Sequence, residues 1–128
     1  GRLTITHAAH PTVIVIPARG GPFREFTQAG CALGHFADEP VPYEEETVQL
    51  QPGDRVLAYT DGVVEWRNAE GEPFGTERLH ACLAESRPGS VEDLAALLRE
   101  RMYGHAGLVR CHDDLTAVLL EYRGDDRG

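Results

Sequence analysis

Residues 54–62 read Asp-Arg-Val-Leu-Ala-Tyr-Thr-Asp-Gly, a β-type run that follows a Pro-Gly turn and ends in a carboxylate and a glycine. The middle of this run is mostly apolar, which predicts a central strand covered on both faces. A second acidic pair, Asp113-Asp114, precedes another apolar run at 115–122. Strand ends can aim carboxylates at a common point, and carboxylate oxygens suit hard divalent cations. The two clusters therefore predict about half of a metal site.

The residues before this stretch predict strands and turns. Residues 3–7 alternate between apolar and polar side chains, 12–16 form a β-branched run between prolines, and 44–50 end as a strand. Residues 23–27 predict a weaker strand. We expect the runs at 3–7, 12–16 and 23–27 to form an antiparallel meander. Glycines and prolines across 30–43 predict a loop.

Two helices and a strand are predicted after it. Thr76 is the predicted N-cap of a helix over 77–86 with Leu79, Cys82 and Leu83 on its apolar face. Ser90, with Asp93 three positions later, predicts a capping box for a second helix. That helix carries an apolar stripe with one arginine at helical spacing: Val91, Leu94, Leu97, Leu98, Arg101 and Met102. A loop over 104–112 and a strand over 115–122 follow. The order predicts an α+β fold with helices packed on antiparallel sheet.

Length and composition indicate one domain, with 1–122 as its body and 123–128 as a polar tail. The formal net charge of -9 disfavours nucleic acid and anionic membranes as partners. No window offers the ~18 apolar residues that a membrane helix needs. Three widely spaced cysteines, Cys31, Cys82 and Cys111, predict neither a disulfide framework nor a zinc site, and a reducing, cytoplasmic location fits best.

Four motifs in order resemble one known family. Residues 52–65, Pro-Gly-Asp-Arg-Val-Leu-Ala-Tyr-Thr-Asp-Gly-Val-Val-Glu, are similar to the signature of PPM-type (PP2C-like) serine/threonine phosphatases. The branch that they most resemble includes the sporulation phosphatase SpoIIE and the stress-response phosphatase RsbU. Residues 68–75 resemble the turn after that strand, and 113–116 resemble the closing motif. Residues 8–11 resemble an Ala-Gly-His-Pro turn, with Ala9 where glycine is usual.

The resemblance implies a portion of a PP2C-like αββα sandwich, with antiparallel sheets flanked by helices. It also implies a two-metal site for Mn²⁺ or Mg²⁺, where a metal-activated water attacks phosphorus in line. Asp61 and Asp113 match the metal-binding aspartates. Asp114 is expected to support the second ligand, and Gly62 to permit a tight turn beside the metal. His10 and His112 are candidates for phosphate or supporting contacts.

Simpler interpretations of the same residues stay open. An Asp-Gly pair alone is typical of a plain turn, and Asp113-Asp114 alone is typical of a polar loop. His10 also fits a packed turn histidine, and His112 fits a surface role. The joint placement of both aspartates inside the longer match favours the metal-site interpretation.

The sequence departs from the family in one respect that bears on activity. Family members carry another metal-binding half, with an acidic strand residue and an Asp-Gly motif, and neither is found in these 128 residues. The chain therefore resembles the C-terminal part of the domain. We expect weak Mn²⁺ binding and little or no phosphatase activity from this chain alone. Exposed sheet edges would also make a homo-oligomer possible.

Three hypotheses follow. The first is a metal-dependent protein serine/threonine phosphatase in bacterial sigma-factor, stress or sporulation signalling, acting on a phosphoprotein such as a phosphorylated anti-sigma-factor antagonist. The second is a non-catalytic PP2C-like module that binds a partner. The third, which ignores the resemblance, is an acidic α+β interaction domain without metal.

Overall fold

The computed structural model describes residues 1–10, 12–27, 31–34 and 43–124, and all structural statements below concern these ranges. They contain six strands and three helices. In chain order these are β1 (Arg2–Thr6), β2 (Val13–Ile16), β3 (Arg24–Phe26), β4 (Glu45–Gln49), β5 (Arg55–Tyr59), α1 (Gly62–Glu65), α2 (Gly75–Glu85), α3 (Val91–Ala106) and β6 (Ala117–Glu121). The predicted α+β class is confirmed. Most of the predicted loop over 30–43, and the last four residues of the predicted tail, lie outside the described residues.

The described strands form two antiparallel sheets. One holds β1 and β4, and the other has the order β3-β2-β5-β6. The predicted meander is therefore correct only for β2 and β3, which pair from Val13↔Phe26 to Val15↔Arg24. β1 instead pairs with β4, with Leu3 opposite Val48. Alternation along a strand fixes which side chains face inward, but it carries no information about a partner some 40 residues away.

β2 and β5 are covered on both faces, as the apolar run at 54–62 predicted. On one face Ile14, Leu57 and Tyr59 pack among the buried side chains of the helices. On the other face Val15 and Val56 pack with Val48 and Leu50 of the small sheet. The chain thus forms three layers, with the small sheet, the large sheet and the helices in that order.

The helix boundaries differ from the predicted ones. α2 begins at Gly75 with Phe74 as its N-cap, so Thr76 is not the cap. Phe74 is buried and its N–H donates to the Trp66 carbonyl at 2.8 Å, so tertiary packing sets this start. α3 begins at the predicted Ser90 capping box. It then continues through Gly104, which was predicted to open a loop, because Ala106 still packs into the core.

The predicted helix faces are largely confirmed. Leu79, Cys82 and Leu83 of α2 are buried, and so are Leu94, Leu98 and Met102 of α3. Arg101 was predicted in the same stripe, but it is exposed and its guanidinium contacts the Glu85 carboxylate at 2.9 Å. At the margin of a helix face, a long charged side chain has a lower free energy with its charged group in solvent than with that group buried.

A buried arginine ties the large sheet to the helices. The guanidinium of Arg55 donates to the carbonyls of Ser86 and Gly89 in the connection between α2 and α3. Its Nε lies 3.4 Å from a carboxylate oxygen of Glu121 on β6. A buried charge needs such partners, so Arg55 fixes the helical layer against the start of β5.

Both ends of the described chain lie at the start of β5. The amino group of Gly1 donates to the Leu50 carbonyl at 2.8 Å. After β6, the carbonyl of Tyr122 accepts from Gly53 N–H at 2.6 Å, and Tyr122 N–H donates to Asp54. The register of β5 with β6 places this corner at the end of the sheet opposite to Asp61.

Candidate functional site

Asp61 follows the last residue of β5 by two positions and precedes α1, a short helix that the sequence did not predict. Its carbonyl accepts from Val64 and Glu65, so backbone hydrogen bonds hold the turn. The side chain of Asp61 makes no capping hydrogen bond to α1 and is exposed. The carboxylate of Asp61 is therefore not engaged in capping α1.

Thr60 joins this turn to the loop that carries the second acidic pair. Its Oγ1 donates to the Asp114 carbonyl at 2.9 Å and accepts from Thr116 N–H at 3.0 Å, while its own N–H donates to the Thr116 carbonyl at 2.9 Å. These bonds extend the β5–β6 pairing beyond the strand ends. They bring the backbone of the Asp61 turn next to that of the loop that carries Asp113 and Asp114.

Gly62 lies in the contact between the two segments. A methyl group at this position would overlap the carbonyl oxygen of Asp114. Gly62 begins α1 and lies in the turn closed by the hydrogen bond from Val63 N–H to the Thr60 carbonyl, but it has no positive φ, so the turn alone does not require glycine. Glycine is needed here because the backbone of the closing loop approaches it closely.

Asp113 is held by its own loop. One of its carboxylate oxygens accepts the N–H of Asp114 at 2.7 Å, and its carbonyl accepts the thiol of Cys111 at 3.2 Å. The side chains of Asp113 and Asp114 are exposed. The local bond uses Oδ1 of Asp113 and leaves Oδ2 outside it.

The carboxylates of Asp61 and Asp113 suit Mg²⁺ or Mn²⁺ by chemistry, since both ions prefer oxygen ligands. Within the described residues, however, no group of three or more His, Cys, Asp or Glu side chains comes together to hold a metal. The donor type fits a divalent metal, and the chain brings two such donors to adjoining loops.

The pKa of Tyr59 reflects burial and the negative charges near it, including that of Asp61. Burial, and then the negative charges of Glu25 and Asp61, raise the pKa of Tyr59 above its ordinary value of 10.0. The phenol is thus neutral at physiological pH and adds no charge to the end of β5.

A cavity of about 640 Å³ opens beside the two loops, and its lining includes Gly62, His112 and Asp113. His112 is exposed at its rim, next to Asp113. His10 is also exposed, in the connection between β1 and β2, and does not belong to the lining. The structure therefore places only one of the two candidate histidines at this cavity.

Other residues of the cavity were not predicted from the sequence. The indole N–H of Trp66 donates to the Val109 carbonyl at 3.0 Å, which joins the segment after α1 to the loop before Asp113. Arg67 and Arg110 also line the cavity. Single residues such as these have no periodicity in the sequence that would reveal them.

Similarity to solved structures defines the class. The fold matches the SiaA-PP2C domain of Pseudomonas aeruginosa with a TM-score of 0.76 at 21% identity, over 94% of this chain and 46% of that one. It matches the RsbU and RsbW domains of Rv1364c from Mycobacterium tuberculosis with a TM-score of 0.73 at 21% identity, over 98% and 34%. It also matches the Mn-presoaked SpoIIE phosphatase domain of Bacillus subtilis at 0.60 and 14%, over 98% and 58%. The chain therefore has the fold of PP2C phosphatase domains.

Sequence similarity then gives the family. Residues 1–123 match the profile of Stage II sporulation protein E (SpoIIE), and the chain belongs to this family. It is also 26% identical over 120 residues to Protein IcfG of Synechocystis sp. (strain ATCC 27184 / PCC 6803 / Kazusa). That alignment covers 94% of this chain but 18% of IcfG, so the chain spans a small part of this relative and at most 58% of the three structures above.

Among the described residues, no helix is both long and apolar enough to cross a membrane.

Proposed function

We propose that this chain forms one side of the active site of a metal-dependent protein serine/threonine phosphatase, with Asp61 and Asp113 as ligands of Mg²⁺ or Mn²⁺. The supporting observation is the bonding of Thr60 to the Asp114 carbonyl at 2.9 Å, which joins the two carboxylate-bearing segments at one end of the sheet. Membership of the SpoIIE family adds to this support. Divalent metals would supply charge stabilisation for the phosphoryl group and an activated water.

The chain's own residues have distinct parts in this proposal. Asp61 and Asp113 supply carboxylate oxygens, while Gly62 allows the closing loop to approach. Asp114 holds Oδ1 of Asp113 through its N–H at 2.7 Å and so orients that carboxylate. Because two carboxylates fall short of the six or so oxygens that each metal takes, partly from water, further ligands must come from outside the described residues.

By analogy with its relatives, we propose that the substrate is a phosphoserine or phosphothreonine protein in bacterial signalling. A phosphorylated anti-sigma-factor antagonist in the cytoplasm is the specific candidate. The second candidate function is a non-catalytic PP2C-like module that binds a partner.

Metal titration tests the proposal directly. We expect calorimetry to detect weak Mn²⁺ binding to the 128-residue chain, and we expect Asp61→Asn or Asp113→Asn to weaken it by about tenfold or more. Glu92→Gln, which removes an exposed carboxylate from α3, is the matched control and should leave binding unchanged. Equal Mn²⁺ affinity in all four proteins would overturn the assignment of these ligands.

Activity separates the two candidate functions. We expect the chain alone to hydrolyse p-nitrophenyl phosphate with little or no turnover, because it supplies too few ligands for two metals. A longer protein that contains this chain should turn over, and should lose activity with Asp61→Asn. A longer protein that is folded, binds Mn²⁺ and is still inactive would favour the partner-binding module.

A further inference from the structure

The cavity beside Asp113 has the size of a ligand site. Its volume of about 640 Å³ lies within the range typical of pockets that take up small molecules or side chains. Gly62 and Asp113 line one end of it, so a group bound in the cavity adjoins the proposed metal ligands. A substrate held at those ligands would therefore reach the cavity with its neighbouring residues.

The floor of the cavity is apolar and fixed in position. Trp66 is 8% exposed, its indole N–H is bonded to Val109, and its ring meets Tyr103 edge-on at 5.0 Å between centroids. Val64 and Val109 line the cavity beside it. A rigid apolar floor of this kind suits an apolar side chain.

The rim, in contrast, is charged, with two arginines and two carboxylates. Arg67, Arg110 and His112 line the cavity together with Glu65 and Asp113. In the described part of the chain, neither of these two arginines forms an ion pair. The only hydrogen bond of the Arg67 guanidinium there goes to the Gly71 carbonyl at 2.6 Å. Because neither arginine is ion-paired with these carboxylates, both guanidinium groups are available to an anionic ligand.

The neighbouring groove between α2 and α3 provides a comparison. It has a volume of about 460 Å³ and also contains two arginines, Arg78 and Arg101. These contact the carboxylates of Glu72 and Glu85 at 3.7 and 2.9 Å, so their charge is already compensated. Of these two cavities, the one beside Asp113 combines arginines that form no ion pair among the described residues with proximity to a proposed metal ligand.

We propose that this cavity selects phosphoprotein substrates with an acidic residue close to the phosphorylated one. Arg110 pairs with the acidic side chain of the substrate, with Arg67 as a second cation, and an adjoining apolar side chain lies on Trp66. Arginine suits this part because its planar guanidinium binds a carboxylate through two parallel hydrogen bonds. The inference rests on the proposed function and adds a class of substrate sequence to it.

Peptide binding to the metal-free 128-residue chain tests the inference. Three peptides of one length are compared by fluorescence anisotropy: a phosphoserine peptide with flanking aspartate and leucine, its unphosphorylated form, and a phosphoserine peptide with lysine in place of aspartate. Trp66 is the sole tryptophan of the chain, so its emission reports whether binding occurs at this cavity. We expect both aspartate peptides to bind about tenfold more tightly than the lysine peptide and to change that emission.

Variants assign the effect to the rim. Arg110→Gln should abolish the preference for aspartate, and Arg110→Lys should restore part of it. Arg19→Gln, an exposed arginine after β2 that does not line this cavity, is the matched control and should keep the preference. Because Arg110 is exposed in a loop, thermal melts should confirm that its variants remain folded.

The outcomes separate this inference from the proposed phosphatase. Equal binding of the aspartate and lysine peptides, or an unchanged preference in a folded Arg110→Gln variant, would overturn the inference and leave the metal ligands untouched. If Mn²⁺ binding did not depend on Asp61 or Asp113 while the Arg110-dependent preference for aspartate persisted, the assigned metal ligands would be overturned and the inference about the cavity would stand. An aspartate preference with no change in Trp66 emission would place binding elsewhere and also count against the cavity.

Discussion

Gly62 is the residue on which the two halves of the candidate site depend most directly. We predict that Gly62→Ala lowers stability by about 1–3 kcal/mol, since the added methyl forces the Asp114 backbone away. Mn²⁺ binding should weaken in parallel. Gly104→Ala is the matched control, because Gly104 lies inside α3 with open space around it. That change should raise stability by about 0.5–1 kcal/mol.

Thermal and urea unfolding of the two variants provides the measurement. Both variants replace glycine with alanine, so opposite changes in the free energy of unfolding would show that the surroundings of each glycine decide the effect. If Gly62→Ala were as stable as the parent chain, the close contact with Asp114 would not exist in solution.

Ala9 is strained for a different reason. It has φ of 58° in the connection between β1 and β2, a conformation in which a Cβ is unfavourable. We predict that Ala9→Gly stabilises the chain by about 0.5–1 kcal/mol, since relief of this strain exceeds the added flexibility of the unfolded chain. Ala96→Gly on the exposed face of α3 should instead destabilise it. Chemical denaturation of both variants measures the difference, and a loss of stability in Ala9→Gly would contradict it.

At the scale of elements, the start of α3 makes stability depend on pH. Asp93 accepts the N–H of Ser90 at 2.8 Å, and Ser90 Oγ accepts the N–H of Asp93 at 3.0 Å. The hydrogen bonds from the Ser90 backbone, and then from its side chain, hold the pKa of Asp93 below its ordinary value of 3.8. Because the folded pKa is the lower one, the ionised carboxylate stabilises the fold above the unfolded pKa. This contribution is lost as pH falls through the folded pKa.

The corresponding variant is Asp93→Ala. We predict that its melting temperature lies below that of the parent chain at about pH 7, and that the difference shrinks as pH falls towards about 2. Glu92→Ala removes a carboxylate from the same helical turn but from outside the capping box, so it serves as the control. A difference for Asp93→Ala that stays constant over this pH range would rule out the capping carboxylate as its cause.

The elements also mark where sequence reasoning succeeds and where it stops. β5 and the capping box at Ser90 were predicted because composition and local spacing define them. The partner of β1 was not, since Leu3 meets Val48 only through long-range packing. The start of α2 was missed because burial of Phe74 outweighs the capping preference of Thr76.

The same division applies to the candidate site. Asp61 and Asp113 were predicted as a pair because each stands at the end of an apolar run and within a motif of the family. The residues that line the cavity were not predicted, because the hydrogen bond from the Trp66 indole to the Val109 carbonyl joins segments that are 43 residues apart in the sequence. The metal ligands themselves remain a prediction, and the close approach of the Asp114 backbone to Gly62 could not be read from the sequence.

At the scale of the whole molecule, β6 is an edge strand of the described sheet and presents apolar side chains. Val118 and Leu120 are 50% and 56% exposed. We predict that the chain self-associates at high concentration through this strand, since an unpaired edge with apolar side chains can pair with another copy. The double variant Val118→Lys, Leu120→Lys should be more monomeric in light scattering.

A control separates edge pairing from a general effect of charge. Ala84→Lys combined with Ala96→Lys adds the same two charges to exposed positions of α2 and α3, and it should leave association unchanged. A monodisperse monomer of the parent chain over the whole concentration range would contradict the prediction.

The corner where Gly1 and Tyr122 approach the start of β5 has a practical consequence for attached groups. Five residues of strand, about 17 Å at ~3.4 Å per residue, separate this corner from the end of the sheet that leads to Asp61. A fluorophore or affinity tag joined to Gly1 would therefore begin on the far side of the sheet from the carboxylates. Immobilising the chain by its amino group should accordingly leave the Asp61 and Asp113 loops accessible to a partner in solution.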